Sequence, residues 1–252
     1  NTSKITRYLN PTGAIDQYYV GKDIGEIWAY ETVGIFQTEA DVAASANQDQ
    51  LGAAWKAGDM QYADLNKDDK ITPGVRTLND HGDLRIVGNT TPRYSFGING
   101  DISYKGIGLN VFFQGVMKRD YLPDNGNWNA FYPYNDGHLE KYAISESWTE
   151  TNRDAYFAAP TFGYNTKKNI HPQSRYVQNA SYIRLKNLSV SYQFPVKLIQ
   201  KVRLNGAQIY FAGMNLWEAT KMHKPLDPES VFTVTQEYYL QRIFTLGVKL
   251  NF

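Results

Sequence analysis

The last stretch of the chain alternates strictly. Phe244, Leu246, Val248, Leu250 and Phe252 fall on one face, while Thr245, Gly247, Lys249 and Asn251 fall on the other. A period of two over this length is a β-strand with one apolar and one polar face. An exposed apolar terminal strand would template aggregation in a soluble protein, so a lipid-facing or partner-covered strand accounts for it better. Alternation alone also fits an ordinary sandwich strand.

The 252 residues allow one large β domain or two smaller ones. Aromatic residues make up 14%, with 19 Tyr and 12 Phe, yet mean hydropathy is −0.50 and net charge is +1. Many aromatics with low average hydropathy suit strands that alternate lipid-facing and water-facing residues. No apolar run reaches the roughly 18 residues of a membrane-spanning helix. Lys and Arg are dispersed, which leaves no electrostatic footprint for nucleic acid. With no cysteine there is neither a disulfide framework nor a thiolate metal site. The chain opens NTSKITRYLNP without an export signal. The expectation is that such a signal was removed or, the favoured reading, lies upstream in a longer parent.

Residues 10–92 read as irregular and polar, with one amphipathic helix expected over Glu39–Lys56. From Arg93 onward long alternating strands are expected at 94–104, 108–117, 181–194, 207–217 and 239–252. In the third, the phase reverses above Lys186, where Ile183 and Leu185 become the apolar positions; a bulge or an exit from the apolar layer would produce this. The chain divides into 1–92, the end of a barrel strand followed by a long loop region, and 93–252, the strands with loops 118–180 and 218–238. If the C-terminus is periplasmic, the long connections all face outward. The short ones, 105–106 and 195–206, face inward, as outer-membrane barrels require. Tyr94, Tyr104, Tyr182, Phe194, Trp217, Tyr239 and Phe252 sit at strand ends like interfacial girdles. Thr245, Gly247, Leu250 and Phe252 have the spacing of the signal read by the barrel-assembly machinery. Five strands cannot close a lipid-facing barrel, since the smallest have about eight, so the expected fold is all-β: the C-terminal part of a larger antiparallel transmembrane barrel.

Several stretches resemble, in order, the C-terminal part of the SusC/RagA family of TonB-dependent outer-membrane transporters: Tyr18–Thr38, Gly58–Thr72, Gly82–Asn99, Leu109–Pro123, Tyr176–Pro195, Ile209–Thr220 and the terminal TLGVKLNF. The resemblance implies a barrel of about 22 strands with an internal plug. It also implies TonB-driven import of glycans or peptides across the bacterial outer membrane, with a SusD-like surface lipoprotein as lid. The plug and the TonB-contacting segment belong near the family's N-terminus and have no match in these residues.

The run from Asp64 to Thr72 looks like the first part of an EF-hand-type calcium loop, with oxygens from Asp64, Asn66, Asp68, the Lys70 carbonyl and Thr72. Position six is Asp69 rather than Gly and position twelve is Val75, with Asp80 or Asp83 as substitute carboxylates. An ion-free Asx-rich turn accounts for the run as well. Calcium is thus the one cofactor suggested.

The 119–164 loop concentrates Tyr121, Trp128, Phe131, Tyr132, Tyr134, Trp148, Tyr156 and Phe157 among Asn and Asp. Tyr121, Trp128, Tyr132, Tyr134 and Trp148 are the candidates for substrate or lid contact, against packing of the loop on itself. No catalytic residues are assigned: His81, His138, His171 and His223 lack ligand spacing, and Glu146, Glu150 and Asp154 read as solvated acids. Two alternatives remain: a secreted β-sandwich module binding carbohydrate and calcium, and a non-transporting structural barrel in an outer-membrane complex.

Overall fold

The computed structural model describes residues 2–123, 131–132, 141–160, 168–224, 226–232 and 240–252. In chain order the elements are β1 (Glu26–Tyr30), β2 (Thr32–Ile35), α1 (Glu39–Ala44), β3 (Met60–Tyr62), β4 (Leu84–Asn89), β5 (Tyr94–Tyr104), β6 (Ile107–Met117), β7 (Asp120–Tyr121), α2 (Tyr142–Glu146), β8 (Gln178–Asn179), β9 (Tyr182–Gln193), α3 (Val196–Ile199), β10 (Gly206–Thr220) and β11 (Ile243–Asn251). The chain forms two units, a loop unit of Asn1–Thr91 with Asp120–Gln178, and a wall unit of Pro92–Arg119 with Asn179–Phe252.

The wall unit is a five-stranded antiparallel sheet in the order β11-β10-β9-β6-β5. Directly paired residues share a face, so the register sorts the side chains. Ile98↔Phe113, Ile102↔Leu109, Leu109↔Val190, Val190↔Phe211 and Phe211↔Leu246 run as one apolar layer across all five strands. Asp101↔Asn110, Asn110↔Ser189, Ser189↔Ala212 and Ala212↔Thr245 form the opposite, polar layer. The apolar layer is open: Ile98 is 58% exposed, Ile102 67%, Leu246 73% and Val248 61%. A continuous apolar face of this extent marks a lipid or partner surface.

The phase reversal in β9 has a local cause. Phe112 pairs with Asn187 while Phe113 pairs with Leu185, which leaves Lys186 as a bulge residue. On the other side Met214 pairs with Asn187 and Trp217 with Leu185. Asn215 lies in this extra stretch with φ +53, a left-handed conformation that Asn tolerates better than most residues. The bulges return Ile183, Leu185 and Trp217 to the apolar layer. The strand does not leave that layer.

Several boundaries differ from the sequence expectation. The helix expected to Lys56 ends at Ala44. A capping box between Thr38 and Asp41 starts it, but none of its residues is buried, and a short helix without a packed face does not propagate. Ala54, with φ +55, is incompatible with its continuation. The region 10–92, read as irregular, contains β1 to β4; β1 pairs with β4 and β2 with β3. The last strand begins at Ile243, not at 239, and Tyr239 lies outside the described residues. β10 runs on to Thr220 because the bulge restores its pairing with β9.

In the loop unit the core is partly polar. Asp59, Lys168, Asn169, Gln173 and Gln48 are buried with Met60, Tyr62 and Phe36. Asn169 Nδ2 donates to Asp59 Oδ1 at 2.9 Å, and Tyr62 N donates to Gln48 Oε1 at 2.7 Å. These bonds satisfy groups that would otherwise be costly to bury.

Candidate functional site

On the polar layer of the wall sheet Arg184 and Glu218 are directly opposed on β9 and β10 and form an ion pair. Arg184 is 3% exposed. Its Nη2 also reaches Asp227 Oδ2 at 2.8 Å, and its Nη1 reaches Glu229 Oε2 at 2.5 Å. The bulge residue Lys186 donates to both oxygens of Glu229 at 3.0 and 3.2 Å. Two cations and three carboxylates thus hold the start of the connection after β10 against the polar layer, with Leu226 and Val231 buried beside them. A cluster so completely paired orders a segment; it presents no nucleophile or proton donor. Sequence reasoning missed it. The available signal was Arg184 and Glu218 in the polar phase of strands long enough to span.

The predicted contact aromatics of the loop unit lie inside it. Tyr121, Tyr132 and Trp148 are 6%, 5% and 8% exposed. Phe131, Tyr132, Phe157 and Tyr176 pack edge-on or stacked, with centroids 5.0 to 5.7 Å apart. Trp148 Nε1 donates to Gln37 Oε1 at 3.3 Å. These rings hold the loop unit together and are not displayed for contact, which corrects the expectation for these three. Trp128 and Tyr134 lie outside the described residues.

Around Asp64 the side-chain oxygens accept hydrogen bonds from the loop's own backbone. Asp64 Oδ1 accepts from Lys67 N at 2.6 Å and Oδ2 from Asp69 N at 2.8 Å; Asn66 Oδ1 accepts from Asp68 N, and Asp68 Oδ1 from Lys70 N. Asp69 adopts φ +63, the left-handed geometry that a Gly at position six would supply. Asp83 is fully buried, and its two oxygens accept from Leu65 N and Thr72 N at 2.8 Å each, closing the loop. Among the described residues no group of three or more His, Cys, Asp or Glu is arranged to hold a metal. The turn is preformed; its carboxylates would have to share their oxygens with a cation.

A recess in the loop unit was not foreseen. A cavity of about 260 Å³ is lined by Trp28, Tyr30, Leu51, Arg76, Leu84 and His171, among others. Tyr30 is 4% exposed, and burial raises its hydroxyl pKa to about 12. Burial lowers the His171 pKa, against a smaller upward pull from the Leu51 carbonyl, which lies 2.6 Å from its Nε2. Arg76 is held by a bidentate pair with Asp16, at 3.0 and 2.7 Å. Two aromatic faces with a few polar groups, one of them the ion-paired Arg76, can take up one ring or side chain.

The predicted assembly residues are all placed. Thr245 and Gly247 lie on the polar layer of β11, opposite Ala212 and Tyr210. A Cβ at Gly247 would lie 2.4 Å from the Tyr210 ring, which would have to move aside. Leu250 is on the exposed apolar layer, and Phe252, 88% exposed, follows the strand's end.

No family model matches the chain. It is 27% identical over 249 residues to the TonB-dependent receptor P3 of Formosa agariphila, covering 92% of this chain and 22% of the relative. It is 25% identical over 248 residues to the TonB-dependent receptor P26 of the same organism, covering 92% and 23%. Its fold matches the RagAB peptide importer in the open-open state with TM-score 0.62 at 23% identity, over 98% of this chain and 24% of that one. A second structure, of the RagAB peptide transporter, gives 0.63 at 20% identity over the same shares. The chain thus spans under a quarter of the length of the proteins it matches. The names of those matched proteins are those of receptors, an importer and a transporter.

Proposed function

We propose that this chain, which carries the sequence and fold of the C-terminal portion of a SusC/RagA-type TonB-dependent outer-membrane transporter, supplies wall strands and outward loops to an importer of glycans or peptides. The observation that carries the proposal is the five-stranded sheet with one open apolar layer and one polar layer, joined to a large loop unit. In this reading the apolar layer faces lipid, the polar layer faces the lumen, and the C-terminus is periplasmic. The parent barrel has about 22 strands, and both free edges of this sheet, β5 and β11, continue into it. The loop unit meets a SusD-like surface lipoprotein, and TonB acts through the N-terminal part of the parent. Energy comes from TonB, and the residues bind and guide without chemistry.

The exposed apolar layer weighs against the secreted sandwich module, whose sheets would bury such a face on each other. Within the loop unit, the Trp28–Tyr30–His171 cavity is the recess suited to a residue of the substrate. The Asp64 loop takes calcium as a stabilising ion through Asp64, Asn66, Asp68, the Lys70 carbonyl and Thr72. Terbium luminescence sensitised by nearby tyrosines, abolished in Asp64→Ala, tests that assignment.

The transport proposal is tested by giving cells that carry the intact transporter and its lipoprotein a pool of labelled peptides and a pool of labelled oligosaccharides. TonB-dependent depletion of one pool supports it. Depletion of neither, with the protein folded in the outer membrane, contradicts it and favours the structural barrel.

A further inference from the structure

One end of the wall sheet gathers positive charge. The turn between β5 and β6 carries Lys105, and the connection of residues 194–205 carries Lys197, Lys201 and Arg203; neither contains Asp or Glu. The two are neighbours, because Gln193 N donates to the Gly106 carbonyl at 2.7 Å where β9 ends beside the turn. All four cations are exposed, and among the described residues none of them is ion-paired. Two stand where the backbone favours another residue: Lys105 has φ +47 in a two-residue turn, and Arg203 has φ +62 at the close of a short helical turn. Gly or Asn fills such positions with the least strain.

Apolar side chains are interleaved with these charges. Val196, Leu198 and Val202 are 54%, 56% and 66% exposed, whereas Ile199 turns inward. A short segment that shows water both apolar and basic side chains has the character of a membrane-interface element. Lys105 Nζ lies 5.0 Å from the centre of the Tyr104 ring, which places that charge beside an interfacial aromatic. From this end an apolar groove of about 390 Å³ runs up the open layer between Ile107, Val190, Tyr192, Ile209, Phe211 and Leu246.

We propose that this end of the sheet binds an anionic phospholipid, with its phosphate on Lys105, Lys197, Lys201 and Arg203 and an acyl chain in the groove. The inference rests on the barrel reading, which puts this end at the inner leaflet. A soluble acidic partner or free phosphate would use the cations and leave the exposed Val196, Leu198 and Val202 and the groove without a role. A phospholipid uses all three features. Each cation near an anionic membrane surface contributes about fivefold in affinity.

The test reconstitutes the intact transporter in phosphatidylcholine vesicles containing a minor fraction of phosphatidylglycerol. It is then extracted gently, and the lipids retained are counted by native mass spectrometry. The wild type is expected to retain phosphatidylglycerol about fivefold or more above its share of the bilayer, unchanged by added inorganic phosphate. The variant K105N/K197Q/K201Q/R203G, which removes the charge and relieves both positive-φ positions, is expected to insert normally and retain the bulk ratio. Absence of enrichment in the wild type, equal enrichment in the variant, or displacement by inorganic phosphate overturns the lipid site alone. Failure to insert into any vesicle overturns the barrel reading and the site with it.

Discussion

Lys168 Nζ donates to Asp59 Oδ2 at 2.5 Å across 109 residues of sequence, and both side chains are buried. The ammonium also donates to the Ala54 carbonyl at 2.9 Å, while Asp59 Oδ2 accepts from Lys56 N. The pair therefore fastens the segment before β3 to the segment before β8. Lys168→Met leaves a buried carboxylate without its counter-charge and is expected to cost about 3–5 kcal/mol. Asp59→Leu combined with Lys168→Met is expected to recover part of that loss. Hydrogen exchange of the Met60 amide, which donates to Asn169 Oδ1, reads both: fast in the single variant, intermediate in the double. Equal exchange in the wild type and Lys168→Met would contradict the role.

Arg184→Gln removes the guanidinium shared by Glu218, Asp227 and Glu229. The three carboxylates then repel one another with only Lys186 between them. Limited proteolysis should cut faster within residues 221–232 while the β9–β10 ladder stays protected. Unchanged cleavage there would show that the buried Leu226 and Val231 suffice to hold the segment.

The bulge makes a prediction about backbone conformation. Asn215→Val forces a β-branched residue to φ +53 and should cost about 1–2 kcal/mol, whereas Asn215→Gly should stay within about 1 kcal/mol of the wild type. The glycine loses only the exposed bond from Asn215 Nδ2 to the Gln241 carbonyl. Refolding midpoints in detergent and urea separate the two variants.

Burial holds the His171 pKa below its ordinary value in the folded loop unit. The unfolded chain then binds more protons than the folded one once the pH drops below about 6.5, so stability is complete above that value and declines as the pH falls toward the lower folded pKa. His171→Gln should flatten this dependence. Thermal denaturation followed by Trp fluorescence between about pH 7.5 and 5.5 measures it, and an equally steep decline in the variant would assign the effect elsewhere.

The wall was legible in the sequence because a period of two, once one face is apolar, leaves few other ways to fold. Tyr94–Tyr104 needed no more than its own alternation. The reversal above Lys186 could be seen, but choosing a bulge over an exit from the layer required the pairing of Phe112 and Phe113 with β9. Strands of three to six residues such as Met60–Tyr62 were invisible because their partners are distant and their sides are unequally buried. The loop aromatics misled for a related reason: a Trp or Tyr reads the same in a contact surface as in a core, and only burial separates Trp148 from a displayed ring. The Tyr30 cavity is assembled from five separate stretches, so no local spacing could announce it.

In the barrel reading, one layer of the sheet faces lipid and the other faces water. This chain has no cysteine; with any cysteine elsewhere in the intact protein replaced, single cysteines placed in turn at 244 to 251 can each carry a spin label. Accessibility to oxygen, which partitions into lipid, is compared with accessibility to a water-soluble nickel complex. The account predicts oxygen maxima at 244, 246, 248 and 250, with nickel maxima at 245, 247, 249 and 251. Uniform access to nickel along the strand, or no alternation at all, would contradict it.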